Sequence, residues 1–293
     1  MHNQLKTLIL LVLLTVLLVG LGDLIGGPTG LTLALGLALL MNGLAYWFSD
    51  RIVLALHGAV PLTEAEAPHV YRIVRDLTRR SGMPMPRLYR VPTEVPNAFA
   101  TGRDPHHAAV AVTDGILRLL RPEELEGVLA HELSHVANRD TLITTVTAVI
   151  AGAIMYLARM AQWAFLFMGG SRDDDRDRGV HPIGLLVAAI LAPIAALLIQ
   201  LWVSRTREYM ADERGARLVG RPDGLISALR KIEAFQRQVP ADVPSPATAH
   251  LYFAKPRTNW LVEWLSTHPP VEKRIERLQT LFYGPSVSWE VRP

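Results

Sequence analysis

The order of apolar and polar residues divides the chain before any motif is considered. Residues 7 to 26 are almost uninterrupted Leu, Val, Ile and Gly, and residues 29 to 48 repeat the pattern up to Tyr46, Trp47 and Phe48. Each run is about 20 residues, enough to carry a helix across roughly 30 Å of hydrocarbon. Gly26, Gly27 and Pro28 between them predict a tight joint, hence a helical hairpin, and the closing aromatics suit a membrane interface. Lys6 ahead of the first run leaves a secretory leader as an alternative; without a small-x-small cleavage signal, and with a second span following directly, an uncleaved anchor is favoured. A second hairpin is expected over 141 to 166 and 183 to 203, around the solvated run 169 to 178. Arg159, Pro193 and Gln200 interrupt it, and a half-inserted amphipathic helix is the competing reading.

Between the hairpins the period changes. Residues 63 to 82 read as a helix with Val70, Ile73, Val74 and Leu77 on one face. Three short alternating runs, 87–91, 97–101 and 108–113, are separated by Pro and Gly and predict a small meandering sheet. From Pro122, with Glu123 and Glu124 in the first turn, a new helix begins whose Leu125, Val128, Leu129, Leu133 and Val136 form a buried side. More helices follow 204. The Pro-rich stretch 240–257 reads as a loop over the site, and Pro269-Pro270 opens a charged helix over 271–281. The expected class is mainly α with a small β-sheet: a hairpin over 1–50, the first half of a soluble domain over 51–140, a second hairpin over 141–203, and the second half over 204–293.

Composition supports a mixture of membrane spans and soluble domain. With 293 residues, 50% of them hydrophobic, and a mean hydropathy of +0.22, the chain is too apolar for an ordinary soluble enzyme. A net charge of +3, without a basic stripe, gives no footprint for nucleic acid. With no cysteine, neither disulfides nor a thiolate metal cage is available. Lys6 and Arg51 flank the first hairpin whereas its turn holds Asp23, so the positive-inside rule puts both ends, and the soluble domain, in the cytoplasm. Three Arg in 172–178 lie on the opposite side and run against this; four Asp offset their charge, although acids count little in that rule.

The chemistry sits at His131-Glu132-Leu133-Ser134-His135. Residues i and i+4 share a helix face, so two imidazoles can hold one metal ion, with Glu132 on the flank to manage the attacking water. Catalytic zinc sites of this kind recruit a glutamate from a second helix, and Glu208 supplies it, with Asp212 one turn later as the acceptor that would orient a ligating histidine, His131. An ordinary ion pair of Asp212 with Arg205 or Arg207 is the competing reading, and Glu213 is the rival ligand, turned about 100° away. His268, at a loop-to-helix boundary, could steady a developing oxyanion or cap the metal. The strand with Asn97, Ala98, Phe99 and Ala100 could accept a substrate peptide along its edge, or be purely structural. Thr141 lies only six residues after His135, and Glu208 only five after Val203. If these helices run through, the metal lies on the order of 10 Å from the hydrocarbon edge.

With these residues in place, the chain resembles the HtpX-type membrane zinc metalloproteases, relatives of the CAAX prenyl proteases. The resemblance rests on residues 96–102, Thr113-Asp114-Gly115, the run His131 to Asp140, Arg207 to Asp212, and Ser266 to Pro270, in the family's order and between matching hydrophobic hairpins. It implies a gluzincin-like endopeptidase with one Zn2+ per chain, multi-pass in a bacterial inner membrane, its active site cytoplasmic, acting on protein substrates in membrane-protein quality control under stress. The loop at 172–178 and the Pro-heavy segment near 240–246 depart from the family pattern. The expected mechanism is metal-assisted amide hydrolysis, Glu132 taking the water's proton and returning it to the leaving amine. Two other classes stay open. One is a non-catalytic zinc-bearing membrane adaptor; the other is an intramembrane-type metalloprotease, against which the charged neighbours Arg121, Glu123, Glu124, Glu126, Arg139 and Asp140 argue.

Overall fold

In the computed structural model the described residues are 2–146, 205–238 and 269–284. Most of the expected second hairpin, the 172–178 loop, the 240–257 loop and His268 lie outside them. The described part is mostly helical with one small mixed sheet.

The first helix, α1 (His2–Leu56), folds into two arms at Gly27 (φ 56°, ψ −146°), a left-handed position that glycine adopts without steric penalty, and Pro28 starts the second arm. The arms run antiparallel. Asn42 Nδ2 donates to Thr15 Oγ1 (2.8 Å) and to the Leu11 carbonyl (3.3 Å) across the hairpin, and near the joint Gly22 and Gly30 bring the backbones so close that a Cβ on either would overlap the other's carbonyl. Among the described residues, Gly26–Leu56 is a 31-residue helix long and apolar enough to cross a bilayer. It does not stop with the aromatics at 46–48: its last two turns leave the apolar run and bury Ser49, Asp50, Val53 and Leu54.

The sheet consists of β1 (Val60–Pro61), β2 (Arg87–Val91), β3 (Ala98–Thr101) and β4 (Ala109–Thr113), in the order β1-β2-β4-β3. It is not the meander expected from the sequence, because β2 and β4 are parallel neighbours and β3 lies on the far side of β4. The reason is burial. All five residues of β4 are buried, so this strand takes the centre, whereas Arg87 and Arg90 keep β2 half in solvent. Alternation along the strands then splits the sheet between two cores. Ala109, Ala111, Phe99 and Val91 face Val53 and Leu54 at the end of α1; Val110, Val112, Ala98, Ala100 and Leu88 face the helical layer.

That layer is built from α2 (Pro68–Ser81), the short α3 (Asp114–Leu119), α4 (Pro122–Ala137), α5 (Arg205–Val219), α6 (Asp223–Gln238) and α7 (Val271–Tyr283). The stripe expected for α2 is present, with Val70, Val74 and Leu77 fully buried, but the helix starts at Pro68 rather than 63, the preceding Thr63 and Glu66 bonding each other in a turn. Central to the layer is α4, apolar on most sides and packed on β3, α2, α5 and α6. Its buried Glu124, in the first turn, accepts the Arg121 N–H (2.8 Å), Ser227 Oγ (2.7 Å) and Lys231 Nζ (2.7 Å). Burial alone would raise its pKa, but Lys231, Ser227 and Arg121 together hold it down at about 2.

Glu124 is thus depressed relative to its ordinary 4.5, and the stability it contributes is present above 4.5 and lost as pH falls towards about 2. Glu124→Gln should therefore cost about 3 kcal/mol at neutral pH and remove much of the acid-induced drop in melting temperature, measured by thermal unfolding in detergent across that range.

Candidate metal centre

On α4, the helical repeat sets His131 and His135 one turn apart on one face, rings edge to face with centroids 4.8 Å apart and Nε2 atoms 3.2 Å apart. Facing them is α5, whose first described turns carry Glu208 and, one turn later, Asp212, both buried. Gly215 lets the two helices meet, since a Cβ there would stand 2.9 Å from the His131 backbone nitrogen. Glu208 Oε1 lies 3.4 Å from His135 Nε2 and Oε2 lies 3.7 Å from His131 Nε2. One ligand atom from each of the three residues falls within 4.8 Å of the others.

These separations fit an ion. Ligands about 2.0–2.1 Å from a tetrahedral zinc are roughly 3.3 Å from each other, close to the 3.2, 3.4 and 3.7 Å observed here. The electrostatics point the same way. Burial pushes the pKa of His131 down to about 4 despite Asp212, keeping the imidazole neutral as a ligand must be. For His135 burial acts in the same direction but is outweighed by Asp140, Glu208 and Glu132, which raise it to about 9, so this ring carries a proton that an arriving cation would displace. Glu208 between the two rings and Glu132 on their flank put negative charge where a cation would sit.

The atoms behind the ligands hold them in position. Asp212 Oδ1 lies 2.9 Å from His131 Nδ1, and Arg274 of α7 closes on the same carboxylate with two hydrogen bonds, Nε to Oδ2 at 2.8 Å and Nη2 to Oδ1 at 2.6 Å. The partner of Asp212 is therefore Arg274 rather than Arg205 or Arg207. Arg274 is fully buried; its charge outweighs the burial of Asp212 and holds that carboxyl at about 2. Glu213 points away and pairs with Arg217 at 3.0 Å.

Asp140 does for His135 what Asp212 does for His131, with Oδ2 3.2 Å from His135 Nδ1. It gets there because α4 does not run through into the following segment. The helix ends at Ala137, Asn138 caps it, and Arg139 takes φ +57°, a left-handed conformation rare outside glycine, before helix resumes at 140. The condition of a helix running through is not met at this point, and the break swings Asp140 back onto the histidine.

Glu132 turns to the other flank, where its Oε2 accepts the Ala100 backbone N–H at 2.9 Å. In β3 the antiparallel pairing with β4 commits the backbone of Asn97 to Thr113, which leaves the N–H groups of Ala98 and Ala100 directed at the outer edge, towards α4. The edge is not exposed in the described structure: Asn97, Ala98, Phe99 and Ala100 are all buried, and Phe99 faces the opposite core against the His57 ring. Sequence reasoning missed Arg274 and Asp140 as partners of the site. The first was legible as an arginine within the apolar stripe of Ile275 and Leu278; the second depends on a turn that no spacing rule marks.

A helix pair holding two histidines and a glutamate around one point, with a second glutamate beside them, defines an HExxH metallopeptidase centre. The comparisons agree with this class. The model of Peptidase family M48 matches residues 64–281, and the chain belongs to that family and is a metalloprotease. Similar proteins include a "Protease HtpX homolog" of Syntrophobacter fumaroxidans, 51% identical over 96% of this chain and 100% of its own length. Another, from Pyrococcus furiosus, is 55% identical over 94% of this chain and 95% of its own. The homologue from Aquifex aeolicus is 52% identical over 89% and 87%. Among solved structures, a crystal structure of S. mikatae Ste24p superposes with a TM-score of 0.48 at 18% identity, covering 83% of this chain and 56% of that one. The likeness to HtpX-type proteases read from short motifs therefore extends over nearly the whole chain.

Asp212→Ala should lower metal affinity about ten- to a hundredfold. Because it strands Arg274 in the core, it should also destabilise the fold by about 3 to 5 kcal/mol. Glu213→Gln should leave metal affinity unchanged. Chelator competition and thermal unfolding separate these outcomes.

Proposed function

We propose that the chain is a membrane-anchored zinc-dependent endopeptidase that cleaves membrane or misfolded proteins at the cytoplasmic surface of a bacterial inner membrane, in membrane-protein quality control. The observation that carries the reading is the convergence of His131, His135 and Glu208 beside Glu132. In this reading four membrane helices form two hairpins, one zinc is held per chain by His131, His135 and Glu208, and Asp212 orients His131. The apolar Gly26–Leu56 helix and the basic residues at the hairpin's ends support the anchoring.

Zinc, when bound, would act as the Lewis acid that polarises the scissile carbonyl. The rest falls to the chain. Glu132 accepts the proton of the attacking water and delivers it to the leaving amine. The outer edge of β3 aligns the substrate backbone through Ala98 and Ala100, for which the Ala100 N–H must exchange its bond to Glu132 for one to the substrate. That exchange frees the glutamate as the peptide docks. His268, just ahead of the Pro269-Pro270 step into α7, is assigned to steadying the oxyanion. Low substrate sequence specificity follows from backbone pairing, since only alternate side chains meet pockets.

Glu132→Gln is expected to retain metal by elemental analysis while turnover of an unfolded protein substrate falls about a thousandfold. Retained turnover would remove Glu132 from the chemistry. For topology, the chain has no native cysteine, so single cysteines at Glu123 and Asp174 give a clean background. An impermeant thiol reagent applied to intact cells should label the second and spare the first.

A further inference from the structure

Away from the metal centre, a cavity of about 480 Å³ opens where the second arm of α1 meets the sheet, lined by Trp47, Phe48, Asp50, Arg51, Arg87 and Arg103 and by His106 and His107 of the 3-10 turn Pro105–His107. Its charge is unevenly met. Arg87 is held by Asp50 at 2.5 Å, and Arg103 stands 3.6 Å from Asp104 with its guanidinium 5.0 Å from the Trp47 ring centroid. Arg51 lies 5.7 Å from the Phe48 ring centroid and has no carboxylate partner among the described residues.

Position gives this cleft a meaning. A helix that enters hydrocarbon near the Gly27 joint emerges about 20 residues later, at Trp47 and Phe48, so the cavity falls at headgroup depth. Leu40, Leu44, Trp47 and Arg51 follow one another at intervals of 4, 3 and 4 residues and so form one stripe of the arm. All four are exposed: Leu40 59%, Leu44 44% and Trp47 58%, with the guanidinium of Arg51 beyond them. An apolar strip leading into an aromatic collar and then into arginines matches the order of acyl chain, interface and phosphate in a phospholipid.

We propose that this cleft binds an anionic phospholipid of the surrounding leaflet, its phosphate between Arg51 and Arg103 and an acyl chain along Leu40 and Leu44. The proposal rests on the membrane reading above. Lipid held there would fasten the loop after β3, which carries Arg103 two residues beyond Thr101, to the bilayer surface.

The test uses the full chain purified in mild detergent and titrated with phosphatidylglycerol or with phosphatidylcholine of the same acyl chains, retained lipid being counted by native mass spectrometry. The wild type should prefer phosphatidylglycerol, and Arg51→Gln combined with Arg103→Gln should reduce that preference about tenfold or more, with lysines at both positions restoring it. Equal retention of the two lipids overturns the proposal, as does a preference that survives the double glutamine variant or is abolished by inorganic phosphate in excess. Should the double variant fail to show a folded melting transition, brominated lipids decide on the wild type. Bromo-phosphatidylglycerol should quench Trp47 fluorescence, taken against Trp47→Phe, more than bromo-phosphatidylcholine, and equal quenching overturns the assignment. Release of the chain from membranes by alkaline carbonate would instead overturn the membrane reading, and the lipid site with it. The outcomes above leave anchoring intact and sink the lipid site alone.

Discussion

The metal centre depends on one buried carboxylate. Asp212 accepts two hydrogen bonds from the Arg274 guanidinium and turns the same group towards His131, so α4, α5 and α7 are tied at a single buried point. An arginine with no exposed surface is tolerated only where its partner is bidentate, because desolvation of an unpaired guanidinium would outweigh the packing it gains. Such a pair adds little to net stability compared with an apolar replacement. What it does add is geometry: the His131 ring can take few orientations that keep all the bonds, and the ligand face is set before any ion arrives.

The same economy of means appears on the other side of the site. Asp140 reaches His135 only because Arg139 adopts a left-handed backbone, a strain of the sort that folded chains keep where a side chain must be aimed. Gly215 and the apolar body of α4 let α5 approach closely enough for Glu208 to complete the triangle. The centre is thus assembled from three devices of different kinds: an ion pair, a strained turn and a missing Cβ.

What could be read from residues alone follows from how local each device is. The spacing of His131 and His135, and of Glu208 and Asp212, is a property of a single helix turn and is visible in one dimension. The start of α4 at Pro122, the stripe of α2 and the joint at Gly27 are likewise local. Strand order is not. The exchange of a meander for β1-β2-β4-β3 reflects competition among three short strands for the most buried position, decided by β4 having no polar side chain before Thr113. Arg274 is marked by its place in the apolar stripe with Ile275 and Leu278, but its partner, 62 residues away, is not, because no local pattern pairs two buried charges on different helices. Asp140 was hidden because nothing in the local pattern marks the left-handed turn at Arg139 that interrupts the helix before the next apolar run.

Val53 and Leu54, in the last turns of α1, belong to the same packed cluster as Phe99, Ala109 and Ala111, so the anchor is not tethered to the protease by a flexible tail but forms one wall of it. A soluble fragment beginning after Leu56 would bare one whole face of the sheet. Conversely, any tilt of that arm, as when the lipid thins or thickens around it, is delivered directly beneath β3, making the catalytic half a rigid rider on its own membrane helix.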